Sequence, residues 1–275
     1  MIFLLLVCLC CGLAQTTCRS PYEKWRAEYP DSKWSSSLLY QRLSRQAWEE
    51  NFDHVQRHNA NPRKSFKMAL SKIADRTHKE YIDIYLKPRY GVMNLKPVVD
   101  SRLEYTGRVS SKLPELNTYQ RLPRHRNYSL HKPEDQVSCG ACYIFSALAV
   151  LEYHMAELLN VPDIRLSVQY VIDCGLQHNL QGCLGGSGKD VYAFINAHGI
   201  IESKYYEYSA REGTCNLTPF QKSKILRPKI KYFVKKNIKK EYVKTIVHNF
   251  GPVVVGFDAE PLEIFLYGYV FSSHA

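Results

Sequence analysis

Between Leu38 and His58 the apolar residues Leu39, Leu43, Trp48, Phe52 and Val55 recur at spacings of three to five, with charged residues between them. That period predicts an amphipathic helix burying one stripe. A second helical stretch is predicted over Lys72–Tyr85, so residues 16–88 read as mainly helical. From 89 to 121 no period is visible, and Gly91, Pro97, Gly107 and Pro114 mark a linker. A denser stripe follows from Cys142 to Leu159, made of Ile144, Leu148, Leu151, Met155, Leu158 and Leu159, and predicts a core helix. Asp190–His198 can form a further short helix. After Ile225 the pattern shortens to alternation at Lys229–Tyr232, and a β-branched run, Pro252–Phe257, follows Gly251. Both read as strands. Helices first and strands later predict an α+β fold.

Composition narrows the picture in three ways. The 275 residues allow one large or two modest domains, and 45% hydrophobic with 23% charged residues excludes wholesale disorder. The net charge of +11 is local: residues 221–244 hold ten Lys or Arg against the single acid Glu241. A general nucleic-acid binder would spread its basic surface more widely, so none is expected; this run reads as a solvated face, with anionic polysaccharide or an acidic substrate as the functional alternative. The opening run MIFLLLVCLCCGLA is shorter than the roughly 20 residues a bilayer span needs and ends in small residues. Residues 1–15 therefore read as a secretory signal peptide, and no later run reads as long and apolar enough to span. The expected destination is extracellular or lysosomal, where disulfides persist. Asn127-Tyr-Ser129 and Asn216-Leu-Thr218 are N-glycosylation sequons on that route. His154 and His198 lack companions at metal spacing, and neither a metal nor a cofactor is expected.

Of the nine cysteines, Cys8, Cys10 and Cys11 lie in the leader, and Cys139, Cys142, Cys174, Cys183 and Cys215 cluster well downstream of Cys18. Two bridges and one unpaired thiol account for the cluster. Cys142 opens the predicted core helix, where unsatisfied backbone N–H groups favour an anion, so its thiolate is expected to be favoured. Gln136, six residues upstream, carries an amide able to donate to the oxyanion formed when a thiolate attacks a carbonyl. A redox pair of Cys139 and Cys142 would need a strand before it. The stretch 122–135, with Pro123, Pro133 and scattered basic residues, does not read as one.

The segment Gln136-Val-Ser-Cys139-Gly-Ala-Cys142-Tyr143-Ile-Phe-Ser146 resembles the nucleophile segment of the papain-like cysteine peptidases, the cathepsin family. Leu166-Ser-Val-Gln169-Tyr-Val-Ile-Asp173-Cys174 is similar to the family's Leu-Ser-x-Gln…Asp-Cys segment, its last four residues especially to the cathepsin O branch. Cys183-Leu-Gly185-Gly186 resembles the family's Cys-x-Gly-Gly, and Cys215 follows Tyr205–Tyr208 and Gly213 in the family manner. The resemblance implies a papain-like two-lobed fold, with a helical lobe around the central nucleophile helix and a β-barrel lobe that is incomplete here. It implies peptide-bond hydrolysis through an acyl-enzyme without a cofactor, with Gly185 and Gly186 pairing with an extended substrate peptide. It also implies bridges Cys139–Cys183 and Cys174–Cys215, leaving Cys142 free.

Upstream, residues 40–59 resemble the family's inhibitory propeptide helix, with Tyr40, Ser44, Trp48, Asn51, Val55 and Asn59 where the family has Glu, Arg, Phe, Asn, Ile and Asn. Ser71–Asp75 keeps the Asp of the second propeptide motif. The resemblance thus implies a zymogen: signal peptide 1–15, inhibitory propeptide and linker 16–121, peptidase domain 122–275. Its partners would be peptide or protein substrates and its own propeptide.

The family's imidazole and its orienting Asn lie about 130–150 residues after the nucleophile. His274 falls 132 residues after Cys142, and Ser273-His274-Ala275 resembles the family's Asn-His-Ala. No counterpart of the orienting Asn or of the Asn-Ser-Trp segment is found, and no Trp follows Trp48. The chain then reads either as an incomplete version of an active peptidase or as a short form that folds poorly and cleaves little. The alternative function is a catalytically silent relative acting as a binding or inhibitory module.

Overall fold

The computed structural model describes residues 19–30, 37–64, 67–86, 134–159, 163–235 and 238–256. Cys18, Asn127, His274 and residues 1–15 lie outside them. Packing divides the described chain into two units, one ending at Tyr81 and the other starting at Ile82.

In the first unit, α1 (Pro21–Glu28) starts at a reciprocal cap: Glu23 N–H donates to Ser20 Oγ at 3.3 Å, and Ser20 N–H to Glu23 Oε2 at 2.7 Å. The helix predicted over Leu38–His58 is α2 (Leu38–Ala60), which begins after the N-cap Ser37. Its buried stripe lies slightly off the predicted one. Leu39 and Leu43 are exposed, while Ser44, Ala47, Trp48 and Val55 face inward. The aromatic rings decide this rotation: Trp48 stacks on Phe52 at 5.0 Å and meets Tyr22 edge-on at 5.2 Å, around a small core of Trp25, Trp48 and Ala74.

The helix predicted over Lys72–Tyr85 is shorter: α3 covers His78–Tyr81, and a π-helical turn, Ile82–Leu86, follows. Residues 71–76 form tight turns instead, because their carbonyls are claimed from elsewhere. Trp25 Nε1–H donates to Ser71 O at 3.0 Å and Asn51 Nδ2–H to Ala74 O at 2.9 Å. Asn59 clasps Met68 through both N–H and C=O, at 2.8 and 2.7 Å. Tyr40 accepts a hydrogen bond from Arg76 Nη1 at 2.5 Å. The return strap is thus pinned by three of the positions that resemble the propeptide helix.

The second unit is built on α4 (Cys142–Leu159), packed against α5 (Val168–Gly175) and α6 (Gly188–His198). Ile144, Leu148, Val171, Ile172, Val191 and Ile195 interlock at its centre. Leu158 and Leu159, predicted to be core, are instead exposed, at the C-terminal end of α4. The reading that no later run could span a membrane is also corrected. By length and a mean hydropathy of 1.3, α4 is long and apolar enough. Here it serves as a core helix, carrying Glu152 inward. Three 3₁₀ turns (Leu176–His178, Gly182–Leu184 and Ser203–Tyr205) and two helices, α7 (Pro219–Ser223) and α8 (Lys240–Phe250), complete the described elements.

No extended strand forms among the described residues. Strand-like pairing takes the form of isolated bridges, among them Leu166 with Glu202 and Ile200 with Leu226. The strand predicted at Lys229–Tyr232 has its ladder groups taken by a side chain: Ile230 N–H donates to Asn196 Oδ1 at 2.8 Å, and Asn196 Nδ2–H donates to Ile230 O at 2.9 Å. Pro252–Gly256, within the second predicted strand, joins no ladder either.

Glu152 gives this unit a pH dependence. Burial pushes its carboxyl up to about 7, against the opposing pull of the Leu166 N–H and of Arg165, while Glu134 adds to the rise. The Leu166 N–H reaches Glu152 Oε1 at 2.6 Å. Since the folded-state value lies above the unfolded one, the neutral carboxyl favours the fold in acid, and that advantage fades as pH rises toward and through 7. We expect about 2 kcal/mol of stability to be lost between pH 5 and pH 7 from this group. In a Glu152→Gln variant, whose amide oxygen still accepts the Leu166 N–H, urea unfolding should lose this slope. An unchanged slope would refute the assignment.

Candidate active site

The residues that could do chemistry gather where the chain enters α4. Cys139 bonds to Cys183 and Cys174 to Cys215, and Cys142 is the free cysteine among the described residues, exposed at the first position of α4. A short turn delivers it there: Cys139 N–H donates to Gln136 O at 3.1 Å, and Ala141 O accepts from Ile144 and Phe145 N–H as the helix begins.

The expectation that the helix end alone favours the thiolate is corrected. Burial pushes the Cys142 thiol up, outweighing the downward pull of the N–H groups of Tyr143 and Cys142. The side chain reaches solvent, yet atoms packed around the sulfur raise the cost of ionising it. A cationic neighbour is needed to bring the thiolate within reach of neutral pH.

Gln136 lies in the turn, half-buried, with a buried Oε1 that accepts no hydrogen bond. Its carbonyl accepts the Tyr208 hydroxyl at 2.8 Å as well as the Cys139 N–H. Val137, next in sequence, has φ 54°, a left-handed conformation that a β-branched residue adopts only under constraint. Asp135 Oδ1 accepts the Val137 N–H at 2.9 Å.

The Cys183–Gly186 loop is held beside this turn. Gly140 N–H donates to Cys183 O at 2.9 Å, and a Cβ at Gly140 would meet that oxygen at 2.5 Å. Glu212 Oε1 accepts the Cys183 N–H at 2.9 Å, and the Tyr143 hydroxyl donates to Gly182 O at 3.0 Å. Gly185 has φ 99° and ψ 179°, a combination open essentially only to glycine, and nothing would obstruct a Cβ there. Gly186 is constrained differently: a Cβ would lie 2.6 Å from the Tyr143 ring. One glycine allows the backbone path, and the other lets the loop lie against the residue after Cys142.

Three supporting residues escaped the sequence reading. Tyr143 and Tyr208 stand inside segments already singled out, so their hydroxyls were a signal available but unused. Glu212 precedes Gly213, which the resemblance includes, but nothing in the sequence marks its carboxylate as a partner of Cys183. Asn216 is exposed.

The profile of the papain family cysteine protease matches residues 121–274, and that of the cathepsin propeptide inhibitor domain matches residues 22–81. The chain belongs to the papain family of cysteine proteases. Cysteine proteinase RD21A of Arabidopsis thaliana is 28% identical over 206 residues, covering 74% of this chain and 42% of the relative. Cathepsin L 1 of Paramecium tetraurelia is 26% identical over 253 residues, covering 90% and 73% respectively. The chain therefore spans under half the length of the first of these relatives. In structure it is similar to digestive procathepsin L 3 of the Tenebrio molitor larval midgut, with a TM-score of 0.60 and 20% identity over 84% of this chain and 72% of that one. The fold is thus the papain-like procathepsin fold, a propeptide inhibitor domain preceding the papain-family domain.

Proposed function

We propose that the chain is the precursor of a cysteine endopeptidase that enters the secretory pathway and works in lysosomes or outside the cell. The observation that carries this reading is the free Cys142 at the first position of α4, after a turn that starts at Gln136 and is bridged to the Cys183–Gly186 loop. In the proposed reaction the Cys142 thiolate attacks the scissile carbonyl, and the carbonyl oxygen becomes an oxyanion facing the Gln136 amide. Collapse expels the amine, which takes its proton from an imidazolium, and leaves a thioester that water hydrolyses to release the acid and restore the thiol. His274 is the imidazole we nominate. Burial raises the Cys142 thiol, so the proposed reaction requires such a cation beside it to offset the desolvation cost. Gly185 and Gly186 would pair with the backbone of an extended peptide. The residues before the peptidase domain would act as its own inhibitor, in keeping with the match to the propeptide inhibitor family.

The same raised thiol also favours a second reading, a silent relative that binds peptides or inhibits a cathepsin without turnover. One experiment separates the two. The secreted chain and its processed product are treated with a thiol-directed epoxide, and the adduct is mapped by mass spectrometry. Labelling at Cys142 that is lost in a His274→Ala variant supports the endopeptidase. A folded protein whose Cys142 never reacts refutes it, and stoichiometric inhibition of a cathepsin without cleavage would establish the second reading. The same peptide map reads the proposed glycan on Asn216; a bare asparagine there in secreted material would remove that assignment.

A further inference from the structure

We propose that Tyr208 is a positioning residue for the oxyanion donor: its hydroxyl holds the Gln136 carbonyl and so fixes the direction in which the Gln136 amide points. This rests on the role assigned to Gln136 above. The peptide plane between Gln136 and Val137 is the point at issue. With φ at 54°, Val137 sits in a left-handed region that strains a β-branched residue, and rotating that plane would relieve it. The Gln136 carbonyl would then swing off Tyr208, and the turn it ties, with the Gln136 Cα that carries the amide side chain, would be free to shift.

The ties to Asp135 and Cys139 come from within the turn and would move with it. Tyr208 reaches the carbonyl from 72 residues away, at 2.8 Å. Its own position is fixed twice over. The ring packs edge-on against Phe145 of α4 at 5.1 Å. The segment around it is anchored on α5: Asp173 accepts the Tyr206 hydroxyl at 2.9 Å and the Gly213 N–H at 2.8 Å, while Gln169 accepts the Ser209 N–H at 2.9 Å and donates to Arg211 O at 2.7 Å. Gln169 and Asp173 are both buried. The anchor of the strained plane is therefore part of the rigid helical core. Burial, with Glu134 nearby, pushes the Tyr208 phenol up to about 12, so it stays a donor across the working range of pH.

The test uses two reagents on the secreted, processed protein. A peptide aldehyde forms a tetrahedral adduct with Cys142 and places an oxygen where the oxyanion sits; 2-chloroacetamide alkylates the same sulfur by displacement and forms no such oxygen. In Tyr208→Phe, which keeps the ring against Phe145, aldehyde affinity should fall three- to tenfold while the alkylation rate is unchanged. The loss should vanish in a Gln136→Ala background, and a Val137→Gly change, which removes the strain, should restore most of it. An equal loss with Gln136 already removed, or no loss at all, overturns the proposal. If the unaltered protein is alkylated at Cys142 but binds no aldehyde, the site is not an acyl-transfer centre. That result defeats the underlying reading and this proposal with it. It is distinguishable from failure of the Tyr208 role alone, in which the aldehyde binds the parent and Tyr208→Phe equally.

Discussion

A Gln136→Ala variant is expected to lose roughly 10²–10³-fold in kcat on a peptide substrate, the usual consequence of removing one oxyanion donor. KM should change little, because the developing negative charge exists in the transition state and not in the bound peptide. The reasoning depends on what the change leaves alone. Gln136 holds the turn through its backbone carbonyl, which accepts from Cys139 and Tyr208, and alanine keeps that carbonyl. Its side-chain Oε1 makes no hydrogen bond that the variant would break. Alkylation of Cys142 by a small neutral reagent should then proceed at the parent rate. Steady-state kinetics beside that alkylation rate decide the matter. A loss below threefold in kcat, or an equal loss in both assays, would remove Gln136 from the oxyanion site.

The second large effect concerns the bridges. Cys139–Cys183 and Cys174–Cys215 close loops of nearly equal length, with sequence separations of 44 and 41. Chain entropy then predicts the same cost for losing either, roughly 2–4 kcal/mol, readable as a shift in urea midpoint after paired Cys→Ala changes. Function should distinguish them. Cys139 is three residues before Cys142, and its partner opens the loop that carries Gly185 and Gly186. Losing that bridge loosens the Gln136–Cys142 turn from the Cys183–Gly186 loop, leaving only the Gly140-to-Cys183 hydrogen bond as a direct backbone-to-backbone tie between them among the described residues. We expect the Cys139→Ala, Cys183→Ala form to lose at least tenfold more peptide hydrolysis than its folded fraction explains. The Cys174→Ala, Cys215→Ala form should lose activity only in proportion to unfolding. Equal specific activities in the folded fractions would show that the first bridge serves stability alone.

What the sequence made legible, and what it did not, follows from the range of the interactions. The limits of α4 could be read because its dense apolar stripe is a local property, and the bridge pattern came from a resemblance carried by closely spaced residues. Leu39 and Leu43 misled because an apolar period places a stripe but not its rotation, which the Trp48 and Tyr22 rings set from two different helices. Residues 72–77 have a helix-like pattern, yet Trp25 and Asn51 capture the carbonyls of Ser71 and Ala74 from 46 and 23 residues away. Lys229–Tyr232 alternates like a strand, but a side chain of α6 takes its hydrogen bonds. At the site, the identities of Cys142 and Gln136 were visible in the motif. The desolvation that raises the thiol was not, since it depends on what packs around the sulfur. The Tyr208 hydrogen bond was equally hidden, because it joins segments with no common local pattern.

The fit of Gly186 beneath the Tyr143 ring has a consequence for how this segment can vary. With 2.6 Å between a would-be Cβ and the aromatic edge, any side chain at 186 and a six-membered ring at 143 exclude one another. A library randomised at both positions and selected for retained peptide cleavage should therefore return the two as a linked pair, a methyl at 186 surviving only where 143 has been trimmed to an aliphatic residue. Trimming 143 in turn gives up the hydroxyl that Gly182 O accepts, so such pairs should be recovered rarely and should melt earlier than the parent.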